Sequence, residues 1–110
     1  MSDKNNKLEQ YVVEKLKGLG FSARKTRGSG SATELGDVYN DLFYIECKQK
    51  HTKENIILDR KKDYLKLKQK ISTNSQKEMF NVIENKFGER FVVIEAETFF
   101  RILEKGLYYD

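Results

Sequence analysis

A chain of 110 residues has the length of one domain and is too short for two separate cores. Apolar residues at 38%, with seven Phe and six Tyr, supply core material, and 21 Lys and Arg against 17 Asp and Glu leave a net charge of +4, a bias that suits a polyanionic partner. The single cysteine, Cys47, and the single histidine, His51, exclude a disulfide framework and any zinc site built on several thiolates or imidazoles, so a metal would have to be held by oxygen. The opening MSDKNNKLEQ lacks the apolar stretch of a signal peptide, and no apolar run approaches the roughly 20 residues that span a bilayer. The expected setting is intracellular, in the cytoplasm, away from membranes.

In chain order, residues 1–6 are read as a disordered lead-in. Leu8, Tyr11, Val12 and Leu16 recur at helical spacing over Lys7 to Lys17, and Gly18 and Gly20 end that helix ahead of a strand from Phe21 to Lys25. Residues 26–36, TRGSGSATELG, have no apolar periodicity and are expected to form a mobile surface loop. Asp37 to Tyr39 and Leu42 to Lys48 read as two strands joined by a tight turn at Asn40-Asp41. A short strand is expected at Asn55 to Leu58. Asp59 then caps a helix to about Ile71, with Tyr64, Leu67 and Ile71 inward. Ser75 and Glu78 have the spacing of a capping box, which predicts a helix with Met79, Phe80, Ile83 and Phe87 on its apolar side and Gly88 at its end. Arg90 to Glu95 reads as a strand covered on both faces, and Glu97 to Lys105 as a helix stopped by Gly106. The order predicts a single α/β domain, a mixed sheet flanked by helices, over residues 1–110.

Side chains alternate along a strand, so Tyr44, Glu46 and Lys48 share one face and Ile45 and Cys47 the other, which makes Cys47 a core residue. If Asn40 and Asp41 are the two turn residues, Tyr39 opposes Leu42 and Asp37 opposes Tyr44. Asp37 and Glu46 then become diagonal neighbours on one face, about 7 Å apart at Cα. Two carboxylates on one gap suit Mg²⁺, with Mn²⁺ as a substitute, since Mg²⁺ takes one or two carboxylates and completes its shell with water and phosphate. The Glu-x-Lys spacing has little weight alone. It occurs twice, and the second copy, Glu84-Asn-Lys86, falls in the predicted helix, where residues two apart diverge. On the first helix Glu9 lies inside the apolar arc between Leu16 and Val13, where a carboxylate needs a cation or donors.

Glu9, then Gly20-Phe21-Ser-Ala-Arg24, Gly28-Ser29-Gly30-Ser31, Gly36-Asp37 and Glu46-Cys-Lys48 together resemble the Holliday-junction resolvases of archaea and their viral relatives, within the PD-(D/E)XK nuclease superfamily. The resemblance covers about the first half of the chain. It implies a restriction-endonuclease-like fold, a homodimer, and Mg²⁺-dependent cleavage of branched DNA. By the same resemblance Asp37, Glu46 and the backbone carbonyl of Cys47 would bind the metal, Lys48 would orient or activate the attacking water, and Glu9 would complete the acidic cluster. Arg24 and the hydroxyl of Ser29 or Ser31 would lie near the scissile phosphate. One departure is Gly36, which stands where the superfamily's name has proline.

Arg24, Lys25, Arg27 and the Lys62, Lys66, Lys70 stripe would grip the DNA backbone without reading bases, although a stripe of lysines on a helix also serves simply as a solvated face. Two other functions fit the same residues: a restriction-like or DNA-processing nuclease acting on linear duplex, and a DNA-binding domain of the same fold that does not cut.

Overall fold

The computed structural model describes residues 3–27, 35–50 and 64–106. Leu8, Val12 and Val13 form the buried face of helix α1 (Asp3–Gly18), which starts at Asp3, ahead of the predicted Lys7. Its end is a Schellman closure: the Phe21 N–H donates to the Leu16 carbonyl at 3.0 Å and the Gly20 N–H to the Lys17 carbonyl at 3.0 Å, with Gly20 at a φ of 94° that suits glycine. The chain next forms strand β1 (Arg24–Lys25), shorter than the predicted run from Phe21.

Strands β2 (Val38–Tyr39) and β3 (Phe43–Lys50) pair antiparallel with Val38 opposite Ile45 and Tyr39 opposite Tyr44. This corrects the predicted two-residue turn, in which Tyr39 would face Leu42. Asn40 is the reason. Its buried side chain donates to the Ser22 carbonyl at 2.6 Å and accepts from the Leu42 N–H at 2.8 Å, which opens the turn and ties it to the segment before β1. The register moves by two residues, so the parity of faces survives: Tyr39, Tyr44, Glu46 and Lys48 share a face, and Val38, Ile45 and Cys47 are buried on the other.

Helix α2 (Lys66–Lys70) is the described part of the helix expected to run to Ile71. Leu67 within it and Tyr64 just before it are buried as expected, and Ile71 after it is half-buried. The expected strand at Asn55 to Leu58 and the Asp59 cap lie outside the described residues. The largest correction concerns residues 75–88, which form no helix. Ser75 accepts from the Lys77 N–H at 3.2 Å in a local turn, and the chain then runs as strand β4 (Glu78–Asn85), parallel to β3 with Ile45 beside Phe80 and Cys47 beside Val82. Asn81 to Asn85 are all buried, as in a strand covered on both faces. Strand β5 (Arg90–Val93) pairs antiparallel with β4 and ends the sheet, whose order is β1-β2-β3-β4-β5. It is an edge strand with Phe91 and Val92 exposed, which corrects the expectation that it is covered on both faces. Helix α3 (Ala96–Gly106) matches its predicted span, but Phe99 and Phe100 are exposed.

The core lies between α1 and one face of the sheet and comprises Leu8, Val12, Val13, Ala23, Val38, Ile45, Cys47 and Val82. Each buried Val, Leu or Ile contributes about 1.5–3 kcal/mol by leaving water, so this seam fixes α1, and with it Glu9, against β3. The architecture is α/β, a mixed sheet flanked by helices. Among the described residues no helix is long and apolar enough to cross a membrane.

Candidate active site

Asp37 stands one residue before β2, where the chain doubles against β3. Gly36 makes that approach possible: its φ is 85°, and a Cβ there would lie 2.6 Å from the Ile45 carbonyl oxygen. Proline, with φ held near about −65°, could not adopt this turn, which requires glycine. Hydrogen bonds then fix Asp37 on both sides. Its N–H donates to the Ile45 carbonyl at 2.7 Å, its carbonyl accepts from the Thr26 N–H at 3.1 Å, and the Thr26 hydroxyl donates to the Gly36 carbonyl at 3.0 Å.

The Asp37 carboxylate does not project freely from the sheet. Its Oδ2 accepts from the Cys47 N–H at 2.8 Å, taking the place of a ladder partner just past the end of β2. The N–H and carbonyl of a strand residue point to the same edge, so the Cys47 carbonyl is directed to the side where Asp37 sits. Extending the β2–β3 register one step beyond Val38 and Ile45 brings Asp37 beside Glu46, closer than the diagonal relation predicted. Glu46 and Lys48 are half-buried on the face away from α1, next in register to the fully buried Asn81 and Ile83 of β4.

Glu9 reaches this region from the α1 side. It is half-buried, and its carboxyl is pushed above the ordinary carboxylate range by burial first and by the Asp37 charge second, with Lys25 drawing it back. Burial likewise pushes the Cys47 thiol far up, and Asp37, Glu9 and Glu46 add to the effect in that order. Cys47 is therefore an inert neutral thiol at physiological pH. The charges of Asp37, Glu9 and Glu46, carried on the β2 approach, α1 and β3, are thus all felt at Cys47.

Among the described residues no group of three or more Asp, Glu, His or Cys side chains is gathered closely enough to form a metal cage. Asp37, Glu46 and the Cys47 carbonyl offer oxygen donors alone, the chemistry that a hard cation such as Mg²⁺ would require if it left much of its shell to water and phosphate.

The basic residues separate. Arg24 lies over the Tyr39 ring at 4.5 Å, on the face of Glu46, whereas Lys25 acts on Glu9 on the α1 side. Arg27 is exposed, and Lys66 and Lys70 lie on the exposed side of α2. Ser29, Ser31 and Lys62 lie outside the described residues. Missed in the sequence was Lys77, whose ammonium lies 4.7 Å from the centre of the Tyr39 ring and 4.5 Å from that of Tyr44. The helix assigned to residues 75–87 concealed it, although alternation had already put Tyr44 on the face of Glu46. The second Glu-x-Lys copy is also not helical. Glu84 is in β4, where it accepts from Gln49 and pairs with Arg90 at 2.7 Å, and Lys86 is in the following turn. No protein-family model and no curated protein matches the chain.

Proposed function

We propose that this chain is a metal-dependent endonuclease with a restriction-endonuclease-like fold, which acts as a homodimer on four-way DNA junctions and uses Asp37, Glu46 and Lys48 with help from Glu9. The observation that carries the reading is the docking of the Asp37 carboxylate on the Cys47 N–H, directly between Glu46 and Lys48. The acidic pair is thereby joined to the strand that bears the lysine.

In this reading Asp37, Glu46 and the Cys47 carbonyl hold Mg²⁺, which, when bound, stabilises charge on the phosphate and makes water more acidic. Lys48, two residues from Glu46 on the same face, presents its ammonium to the phosphate or to the attacking water. Glu9 adds a carboxyl from the α1 side, and burial together with the Asp37 charge makes it hold its proton more readily than an ordinary carboxylate. The excess of Lys and Arg supports phosphate contacts that supply affinity without sequence reading.

A synthetic four-way junction incubated with and without Mg²⁺, followed by mapping of the cut strands, tests the proposal. Paired nicks on opposing strands are expected in Mg²⁺ or Mn²⁺, with binding but little turnover in Ca²⁺, whose larger size and looser geometry suit it poorly to the site. Cutting of linear duplex at the same rate would make the protein a nuclease without junction preference. Binding with no cutting in any divalent metal would leave a DNA-binding domain, and cutting that survives thorough chelation would refute the metal mechanism.

A further inference from the structure

The lysines and arginines around the sheet are neutralised in different ways. Lys68 pairs with Glu95, Arg101 and Lys105 pair with Glu78, and Arg90 pairs with Glu84. Lys77 is held by rings instead. Its ammonium lies against Tyr39 and Tyr44, and among the described residues it forms no ion pair. Tyr44 is itself steadied by a 3.1 Å hydrogen bond between its hydroxyl and that of Ser75, and Tyr39 by one of 3.2 Å from its hydroxyl to Asp41. Ring faces attract a cation without cancelling its charge as a carboxylate does, so Lys77 is positioned and still able to attract an anion.

Its place relative to the candidate site gives that charge a use. Tyr39 and Tyr44 are cross-strand partners, and Arg24 is the partner of Tyr39 on β1. Arg24, Tyr39, Lys77 and Tyr44 therefore form a row across the sheet. Tyr44 precedes Glu46 by two residues on the same face, a step of about 7 Å. We infer that Lys77 is a phosphate-binding residue for the DNA strand that crosses the Asp37 and Glu46 site, with Tyr39 and Tyr44 as its positioning residues. The inference rests on the nuclease reading for its choice of ligand. The contact is to the backbone, so it sets the register of the strand and carries no base preference.

The test is binding of a fluorescent four-way junction in EDTA, where cutting plays no part, measured by anisotropy over a range of salt concentrations. Lys77→Gln is expected to weaken binding several-fold at low salt, equally for junctions of different sequence. It should also lower the slope of log affinity against log salt by about one, the signature of one lost phosphate contact. Tyr44→Phe keeps the ring and should keep the slope, whereas Tyr44→Leu frees the ammonium and should move affinity toward that of Lys77→Gln. An unchanged salt slope in Lys77→Gln, with the variant as heat-stable as the parent, overturns the proposal. So does a loss confined to one junction sequence. A Lys77-dependent slope in a protein that never cuts in Mg²⁺ would keep the phosphate contact and remove the nuclease reading. Normal cutting with an unaltered slope would do the reverse.

Discussion

Gly36 carries the placement of Asp37. Its positive φ and the 2.6 Å approach of a Cβ to the Ile45 carbonyl leave no room for a side chain. Gly36→Ala should therefore cost about 1–3 kcal/mol of stability. It should also lift Asp37 from the Cys47 N–H, so that cutting falls more than the loss of folded protein explains. Urea titration beside cleavage rates separates the two effects. Glu9 is the second informative residue. Its carboxyl is held in an unfavourable setting by burial and by Asp37, and a cation nearby relieves that cost. Glu9→Gln should raise the Mg²⁺ concentration needed for cutting and lower the rate by roughly 10–100-fold, the size of effect seen for groups that support a metal site. An unchanged Mg²⁺ titration would remove Glu9 from the site.

At the scale of elements, the junction of β4 and α3 is clamped by Glu78, which accepts from Arg101 at 2.9 and 3.0 Å and from Lys105 at 3.4 Å. The Arg101 guanidinium holds the Glu78 carboxyl below the ordinary carboxylate range. A depressed folded-state pKa means that this contribution to stability is present above the ordinary carboxylate pKa and is lost as pH falls through the depressed one. Arg101→Met should thus lower the melting temperature by a few degrees at neutral pH and make little difference in acid. Equal loss at both pH values would show that packing, not charge, holds the helix.

The same element shows where the sequence could be read and where it could not. The α1 helix, its glycine stop, β3 and α3 announce themselves because each has one period and one apolar face. Asp37, Glu46 and Lys48 were readable as a set because alternation fixes which residues of β3 share a face, and a two-residue register shift does not change parity. β4 was misread because Ser75 and Glu78 imitate a capping box, and Met79, Phe80 and Ile83 match the helical period over a short run. What decides the matter is tertiary: Glu78 turns to Arg101, Ser75 turns to Tyr44, and β3 supplies a parallel partner for the whole segment. Contacts between residues distant in sequence are also why Lys77 was missed.

At the scale of the whole molecule, one chain offers one Asp37, Glu46 and Lys48 set, and resolving a junction requires two cuts placed symmetrically. Two chains in a closed isologous pair are the simplest supply. Val92 of β5 and Phe100 of α3 are exposed, at 59% and 61%, and offer apolar surface to the proposed dimer. Val92→Asp with Phe100→Asp should convert a dimer to a monomer in light scattering at micromolar concentration. The remaining monomer should nick single strands of a junction without pairing the cuts. A monomeric parent protein would remove the dimer, and paired nicking by the variant would move the interface elsewhere.

The most direct measurement is single-turnover cleavage of a four-way junction in Mg²⁺ by the parent protein, Asp37→Asn and Glu46→Gln, with junction binding measured for each in Ca²⁺. Both variants should bind within a few-fold of the parent, because affinity is spread over many phosphate contacts, and both should lose roughly 100-fold or more in rate. Cleavage at the parental rate by either variant would contradict the assignment of the site.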